Sequence, residues 1–432
     1  MGGTRLWAVK SGRRFRVELT EAQAGLAQQT ADVCRVVWNT GLEQRREYRR
    51  RGAWMNYNEQ AHELAQAKQE QSWLNAAPSH CLQQTLRDLD QACRKCGTWK
   101  VRWRSARRWA PSFRFPEGSR MDLQKLNRRK ARVKLPKLGW VKFRASRSLG
   151  GETIRSATLS KEGERWFVSF LVEDGKAPPA GHAAADAAVG VDRGVVVAVA
   201  TSAGDLLDQV FVTAAEKRRA LRLQRKLSRA AKHSANRKKL GQRYGQLRAR
   251  EARRRQDFCV KVARQLAEKN AVVVLETLST KSMTRRAKPV ADPNGPCRYL
   301  RNGAAGKSGL NRAILSKGWY RFEVALRSVS RYTGTQVVKV PAAFTSQRCS
   351  VCGQVDPKSR ESQAVFRCTH CAHTGHADVN AAKNILAAGL AVIACRESVA
   401  PAGAAETSTQ EPAGNREELL LQPVQQVGIP RL

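Results

Sequence analysis

Val189-Gly190-Val191-Asp192-Arg193-Gly194 sets the reading of the second half of this 432-residue chain. It predicts a short strand that ends on a carboxylate and turns at Gly194, with a second strand continuing through Ala200. Further on, Ala271-Val272-Val273-Val274-Leu275 is apolar without a break and closes on Glu276, as expected of a central parallel strand covered on both faces. Asp378 opens Asp378-Val379-Asn380-Ala381-Ala382, the start of a predicted helix to about Ile393. Singly, an Asp before a glycine turn or at a helix start is a turn or cap residue. Together, three acids on two strand ends and a helix start can hold divalent cations. Mg2+ takes carboxylate oxygen, and two such ions about 3.5–4 Å apart can activate water and relieve charge on a phosphodiester.

Between the second and third acids lies the strongest local signal. Cys349-x2-Cys352, 15 intervening residues and Cys368-x2-Cys371 have the spacing of a four-thiolate zinc ribbon, and Gly353 lets the first knuckle turn tightly. Four thiolates fill a tetrahedron, so one structural Zn2+ is expected, with His370, His373 and His376 outside it. Cys93-x2-Cys96 has only His80 and Cys81 nearby, and helix packing is the simpler reading there. The cysteines number eleven, and Cys34, Cys81, Cys259, Cys297 and Cys395 stand alone, which fits a reducing cytoplasm and not a disulfide framework.

Lys and Arg number 78 against 36 Asp and Glu, a formal net charge of +42. Such an excess repels itself in a compact chain, so a polyanion is the natural counter-charge. The excess concentrates in residues 216–255, where 17 of 40 residues are Lys or Arg and only Glu216 and Glu251 are acidic. A solvated charged face would be balanced by local pairs; this one is not. No continuous run of about 18 apolar residues is present, so no membrane partner is expected.

Along the chain, residues 5–19 alternate as a strand or hairpin, and Glu21 to about Lys100 turns helical, broken at Asn75-Ala76-Ala77-Pro78-Ser79. Trp99, Trp103 and Trp109 among Arg102, Arg104, Arg107 and Arg108 suit either base stacking or packing of this helical part. Short strands return at Val133–Pro136 and Val141–Arg144, then as a hairpin around Lys161-Glu162-Gly163-Glu164. The first half thus resembles a small barrel with a helical insertion. After an Ala/Pro/Gly-rich linker come Asp192, long basic helices broken near His233-Ser234-Ala235-Asn236, a further helix near Asp257–Lys269, the strand to Glu276, a helix of about 311–333 and a strand Gln336–Val340. From Arg396 onward the composition is that of a disordered tail.

The order of strand Asp, glycine turn, second strand, strand Glu and late helix Asp is that of a ribonuclease-H-like domain. With Val274-Leu275-Glu276-Thr277-Leu278, Thr345-Ser346-Gln347-Arg348-Cys349-Ser350-Val351-Cys352-Gly353, His376-Ala377-Asp378-Val379-Asn380-Ala381-Ala382-Lys383-Asn384-Ile385, Gly309-Leu310-Asn311-Arg312-Ala313-Ile314 and Gly318-Trp319, the chain resembles the transposon-associated TnpB family and its compact type V CRISPR effector descendants. The motifs cover about residues 130–395. Two local departures are Arg193 after Asp192, and Gly375-His376-Ala377 before Asp378 where an Asp-Arg-Asp is often found.

The resemblance implies a multidomain α+β and α/β protein. A wedge-type β-barrel is expected at 1–20 and 101–175, a helical recognition insert at 21–100 and a linker at 176–188. A RuvC-like nuclease follows at 189–348 and 372–395, interrupted by a zinc ribbon at 349–371, with a tail at 396–432. It further implies an RNA-guided DNA endonuclease. Catalysis and two Mg2+ ions fall to Asp192, Glu276 and Asp378, and zinc to Cys349, Cys352, Cys368 and Cys371. Guide RNA and target DNA are the expected partners, met by Arg218, Arg219, Arg222, Arg225, Lys226, Arg229, Lys238, Lys239, Trp103 and Arg104. A homodimer is compatible with this, and the expected location is the bacterial cytoplasm at the nucleoid. Two other classes are kept: a guided silencer that binds DNA with weak or no cleavage, and a DNA-joining transposase.

The charge excess makes a direct prediction. The purified protein should carry structured RNA, and RNA affinity should fall with salt at a log–log slope of about −0.7 to −0.9 per neutralised phosphate, read by filter binding across a salt series.

Overall fold

Alternation in sequence builds the first unit. β1 (Lys10–Glu18) buries Phe15 and Val17 while Arg14 and Arg16 face solvent. The structure, a computed structural model, describes residues 10–399 apart from 107, 148, 150, 174, 176, 294 and 296–298. It divides into one unit within Met1–Ala177 and another within Pro178–Arg416. The expected strand before residue 10 and the tail from 400 onward lie outside the described residues.

In the first unit, α1 (Glu21–Arg50) starts at a capping box between Thr20 and Gln23, and α2 (Tyr57–Glu70) at one between Asn56 and Glu59. α3 (Ser79–Cys96) ends at Gly97, which takes the left-handed side of φ at 81°. The helical stretch is therefore broken twice; residues 51–56 interrupt it as well as the expected stretch near Asn75. Six strands follow: β2 (Ser112–Phe115), β3 (Leu123–Lys125), β4 (Lys130–Leu135), β5 (Gly139–Arg144), β6 (Thr153–Glu162) and β7 (Arg165–Glu173). With β1 they form one antiparallel sheet in the order β2-β6-β7-β1-β5-β4-β3. No ladder joins β2 to β3 among the described residues.

Phe15, Phe143 and Phe170 from β1, β5 and β7 pack with ring centroids 5.2–6.1 Å apart. The same core runs on through Leu42 of α1 and Leu82, Leu86 and Leu89 of α3. Helices and sheet therefore share a single core, into which the helical insert at 21–100 packs. The amphipathic faces of α1 and α3 find their apolar partner on the strands.

The second unit is built on β8 (Ala188–Asp192), β9 (Val199–Thr201) and β10 (Leu206–Leu207), followed by α4 (Ala214–Arg229), α5 (Ala235–Lys269) and β11 (Val272–Glu276). Then come α6 (Thr280–Met283), the small hairpin β12 (Val290–Ala291) and β13 (Tyr299–Leu300), α7 (Ala304–Lys317), α8 (Trp319–Thr333) and β14 (Gln336–Val340). β15 (Val365–Arg367) and β16 (Thr374–His376) lie in the cysteine segment, and α9 (Ala377–Val399) closes the unit. The sheet order is β10-β9-β8-β11-β14. β9 and β10 are antiparallel, while β11 is parallel to both β8 and β14, as its unbroken apolar run predicted.

Three expectations are corrected. The helix placed near Asp257–Lys269 is the end of α5, a single 35-residue helix, because no breaker separates it from the basic stretch. The helix expected over 311–333 is two, split where Gly318 adopts φ 76°. Residues 396–399 belong to α9, so the tail begins later than its composition indicated. Over Ala377–Cys395, α9 is also long and apolar enough to cross a membrane, a property the residue-by-residue reading passed over.

α9 lies on the sheet at two glycines. A Cβ on Gly190 of β8 would sit 2.1 Å from the Ala382 carbonyl oxygen and 2.6 Å from the Leu386 nitrogen. A Cβ on Gly389 of α9 would sit 2.3 Å from Val274 of β11. Gly190→Ala should therefore destabilise the second unit by about 1–3 kcal/mol or more. Gly245→Ala, in α5 with open space around it, should be neutral or stabilising by about 0.5–1 kcal/mol. Thermal melts of the two variants test the contrast.

Candidate active site

The β8–α9 contact decides where the acids meet. Asp192 ends β8, Glu276 ends its parallel neighbour β11, and Asp378 lies in the first turn of α9, which packs over β8. Glu276 and Asp378 are buried, at 7% and 3% exposure. Burial first, then repulsion from Glu276 and Asp378, pushes the Asp192 carboxyl up to about 7, against the opposing pull of Arg360 and the Arg193 backbone N–H. Glu276 is raised too, mainly by burial, against the Thr345 hydroxyl and Arg193. The three sequence-predicted acids thus share one electrostatic site. A largely buried carboxylate cluster whose repulsion is only partly offset, by Arg360, is chemically suited to divalent cations.

The neighbours of the acids were not legible in advance. Thr345 Oγ1 donates to Glu276 Oε1. Arg360, in the middle of the loop between the cysteine pairs, pairs with Asp378 Oδ1 at 3.0 Å. Arg193, the departure beside Asp192, has a buried guanidinium that donates to the Glu276 backbone carbonyl and pairs with Glu323 at 3.3 Å. Glu323 also holds Lys339 and Arg327, so this cation is fixed by a network on α8 and β14. Thr345 stands inside a quoted motif and so had a signal; Arg360 had none, because a lone Arg in a polar loop has no period or spacing.

Two asparagines lock the cysteine segment to α9. Asn380 Nδ2 and Asn384 Nδ2 both donate to the Arg348 carbonyl, at 2.8 and 2.7 Å, and Asn384 Nδ2 also donates to the Thr345 carbonyl. Asn380 Oδ1 accepts from the Ser350 N–H at 2.9 Å. The i, i+4 spacing of these residues in Asn380-Ala381-Ala382-Lys383-Asn384 puts them on one helix face.

The four cysteine sulfurs lie within 4.8 Å of one another, with Cys349–Cys371 at 3.7 Å and Cys352–Cys368 at 3.6 Å. A zinc tetrahedron with bonds of about 2.3 Å requires sulfur separations of about 3.8 Å, so the donor set fits Zn2+. Each knuckle closes on a left-handed residue, Gly353 at φ 76° and Ala372 at φ 57°. This is the one metal-ligating cluster of Cys, His, Asp or Glu found geometrically among the described residues. Cys93 is buried in the first unit's core and Cys96 is exposed, in keeping with packing.

Arg218, Arg219, Arg222, Arg225, Lys226, Arg229, Lys238 and Lys239 are exposed, and no ion pair engages them among the described residues. The nearby acids are used elsewhere. Glu216 caps α4 and pairs with Arg250 and Arg254, and Glu251 pairs with Arg248 and Arg255. The α4–α5 turn is held by Arg237, which donates to the Leu227 and Ala230 carbonyls. In the first unit Trp103 stays 43% exposed beneath Arg46. Of the stacking and packing roles left open for this stretch, Arg104 shows packing: its guanidinium lies 3.8 Å from the Trp38 ring centroid and 5.2 Å from that of Trp109, and its backbone bonds Asn39. It packs the loop against α1.

The class defined by this fold and acid set is a carboxylate-centred domain interrupted by a four-cysteine ribbon. Family models match at three places: residues 319–385 ("Cas12f1-like, TNB domain"), 169–287 ("Probable transposase", OrfB of IS605) and 9–53 ("Helix-turn-helix domain"). The chain is 35% identical to the "Putative RNA-guided DNA endonuclease InsQ" of Escherichia coli (strain K12), over 85% of this chain and 90% of that protein. It is 30% identical to a "Putative RNA-guided DNA endonuclease" of Streptomyces pristinaespiralis, over 91% and 92%. Among solved structures, Cas12f1 in its sgRNA–target DNA complex shares the fold with a TM-score of 0.53 at 14% identity, covering 85% of this chain and 82% of that one. The chain belongs to the TnpB family, the OrfB proteins of IS605-type elements, and carries the domain shared with Cas12f1-like proteins.

The raised Asp192 carboxyl makes a signed prediction. Its ordinary value is 3.8 and its folded value about 7, so its contribution to stability is complete below about pH 4 and is lost as pH rises through 7 in metal-free protein. Divalent cations should offset the loss, so the melting shift produced by Mg2+ or Ca2+ should be larger at pH 8 than at pH 6. Asp192→Asn should shrink that difference.

Proposed function

We propose that this chain is an RNA-guided DNA endonuclease that hydrolyses phosphodiester bonds of target DNA in a single RuvC-like, ribonuclease-H-like site. The observation that carries the reading is the convergence of half-buried Asp192 with buried Glu276 and Asp378, both of which repel it, at the ends of β8 and β11 and the start of α9. Relatives matched over nine-tenths of their length bear the name of this activity. Asp192, Glu276 and Asp378 would hold two Mg2+ ions, which when bound supply an activated water and neutralise charge on the phosphate. The protein's own part is to hold these carboxylates rigidly. Thr345 orients Glu276, and Arg360 holds Asp378 while bringing a cation to where phosphate charge must be accepted. One structural Zn2+ on Cys349, Cys352, Cys368 and Cys371 would fix the loop that carries Arg360.

Guide RNA and target DNA are the proposed partners, with pairing reading sequence and the protein reading backbone. The exposed, unpaired cations of α4 and the start of α5 suit phosphate contact, and the first unit's sheet suits a wedge-type barrel with its helices as recognition insert. A bacterial cytoplasmic location at the nucleoid follows from those partners, and scattering of the RNA complex distinguishes a monomer from a homodimer.

Cleavage of a guide-matched DNA by the RNA-loaded protein tests the reading. Asp192→Ala should reduce cleavage by several orders of magnitude while leaving guided binding nearly intact, with Glu276→Ala and Asp378→Ala alike. Near-wild-type cutting by the Asp192→Ala protein, with contaminating nuclease excluded, would overturn the site.

A further inference from the structure

Phe344 is an aromatic residue held where an aromatic residue is costly. Its φ is 61°, in the left-handed region that a bulky L-residue avoids, and its side chain is 59% exposed. The conformation is imposed by a closed turn: the Gln347 and Arg348 N–H groups donate to the Phe344 carbonyl at 3.0 and 2.9 Å. Asn384 then ties the Thr345 and Arg348 carbonyls to α9. The same turn presents Thr345, whose hydroxyl donates to Glu276, and Arg348, exposed and with no ion pair among the described residues. An exposed ring, one residue from the contact to a catalytic acid, and an unpaired guanidinium four residues on are thus fixed by one rigid element. Strain kept at such a place, by hydrogen bonds that over-determine it, marks function and not packing.

We infer that Phe344 is a positioning residue: its ring stacks on an unpaired nucleobase of the DNA strand entering the acid site, while Arg348 takes a neighbouring phosphate. Every base offers a π-face, so the contact is sequence-tolerant, as a guide-programmed site requires. The ring would hold the strand so that the scissile phosphate meets Asp192, Glu276 and Asp378. This rests on the nuclease reading above.

The test uses the full-length protein loaded with its guide RNA, Ca2+ in place of Mg2+ to suppress cleavage, and single-stranded target DNA with 2-aminopurine walked across the cut region. Wild-type protein should quench the fluorophore at one or two positions beside the cut. Phe344→Ala and Phe344→Leu should abolish that quenching and, with Mg2+, raise KM for the strand about 10-fold or more with a smaller change in kcat. Phe344→Trp and Phe344→Tyr should retain both. Phe344→Gly separates stacking from structure, since removing the strain should raise the melting temperature while strand binding weakens. If Phe344→Leu quenches and cuts like wild type, or if Phe344→Gly melts lower than wild type and Phe344→Leu keeps its KM, the ring is structural and the inference fails. A separate Asp192→Ala control distinguishes the two levels: if that protein still cuts, the site itself is wrong, whereas if it is inactive and Phe344→Leu is normal, only the role of Phe344 is lost.

Discussion

Everything in the second unit depends on how closely α9 approaches the sheet. At Gly190 and Gly389 no Cβ intervenes, so the helix rests directly on β8 and β11. That contact sets the height of the first turn of α9, and therefore the position of Asp378 over the end of β8. Ile385 and Ala382, both fully buried, supply the apolar side of the same contact. A helix this apolar could lie in a bilayer by composition alone, yet it begins with a buried Asp, Asn380 and Asn384, each committed to a partner in the protein. Buried polar groups are tolerated when they are satisfied, and here their bonds fix the register of the cysteine segment.

The four-cysteine segment is placed between β14 and α9, so it connects the strand next to Glu276 with the helix that carries Asp378. Its geometry governs both acids at once: Thr345 bonds Glu276 at its entry, and Arg360 bonds Asp378 from its loop. The segment's own core is small, Phe366 with Cys349, Cys368 and Ala377, and a zinc ion on the four sulfurs would add rigidity, because a metal's binding energy is local folding energy. In this chain the ribbon therefore contributes to the site through side chains it carries, and its cysteines need not touch the reacting atoms.

Charge is distributed by the same logic of pairing. Acids in the basic helices are spent on α5, where Glu216 and Glu251 neutralise Arg248, Arg250, Arg254 and Arg255. Among the described residues, the α4 cations form no ion pair. At the acid cluster the balance is reversed: three carboxylates lie together, and the one Arg adjacent in sequence, Arg193, pairs with Glu323. Both arrangements leave a surface electrostatically incomplete, one toward polyanion and one toward cation.

The sequence by itself determined which residues could carry the chemistry. Carboxylates at strand ends, the Cys-x2-Cys pairs and the uncompensated basic run are local signals, readable because period, spacing and charge are properties of short segments. It likewise carried the parallel strand at β11, since only a strand covered on both faces is apolar throughout. Helix ends were less legible: α5 ran through an expected boundary and α7–α8 broke at Gly318, because continuity depends on what each turn packs against. Only the tertiary structure decided that the helices of the first unit share the core of its sheet, that Arg104 is stacked against Trp38, and that Arg360 joins Asp378 across 18 residues. Those outcomes come from contacts between segments far apart in the chain, whose close approach no local pattern records.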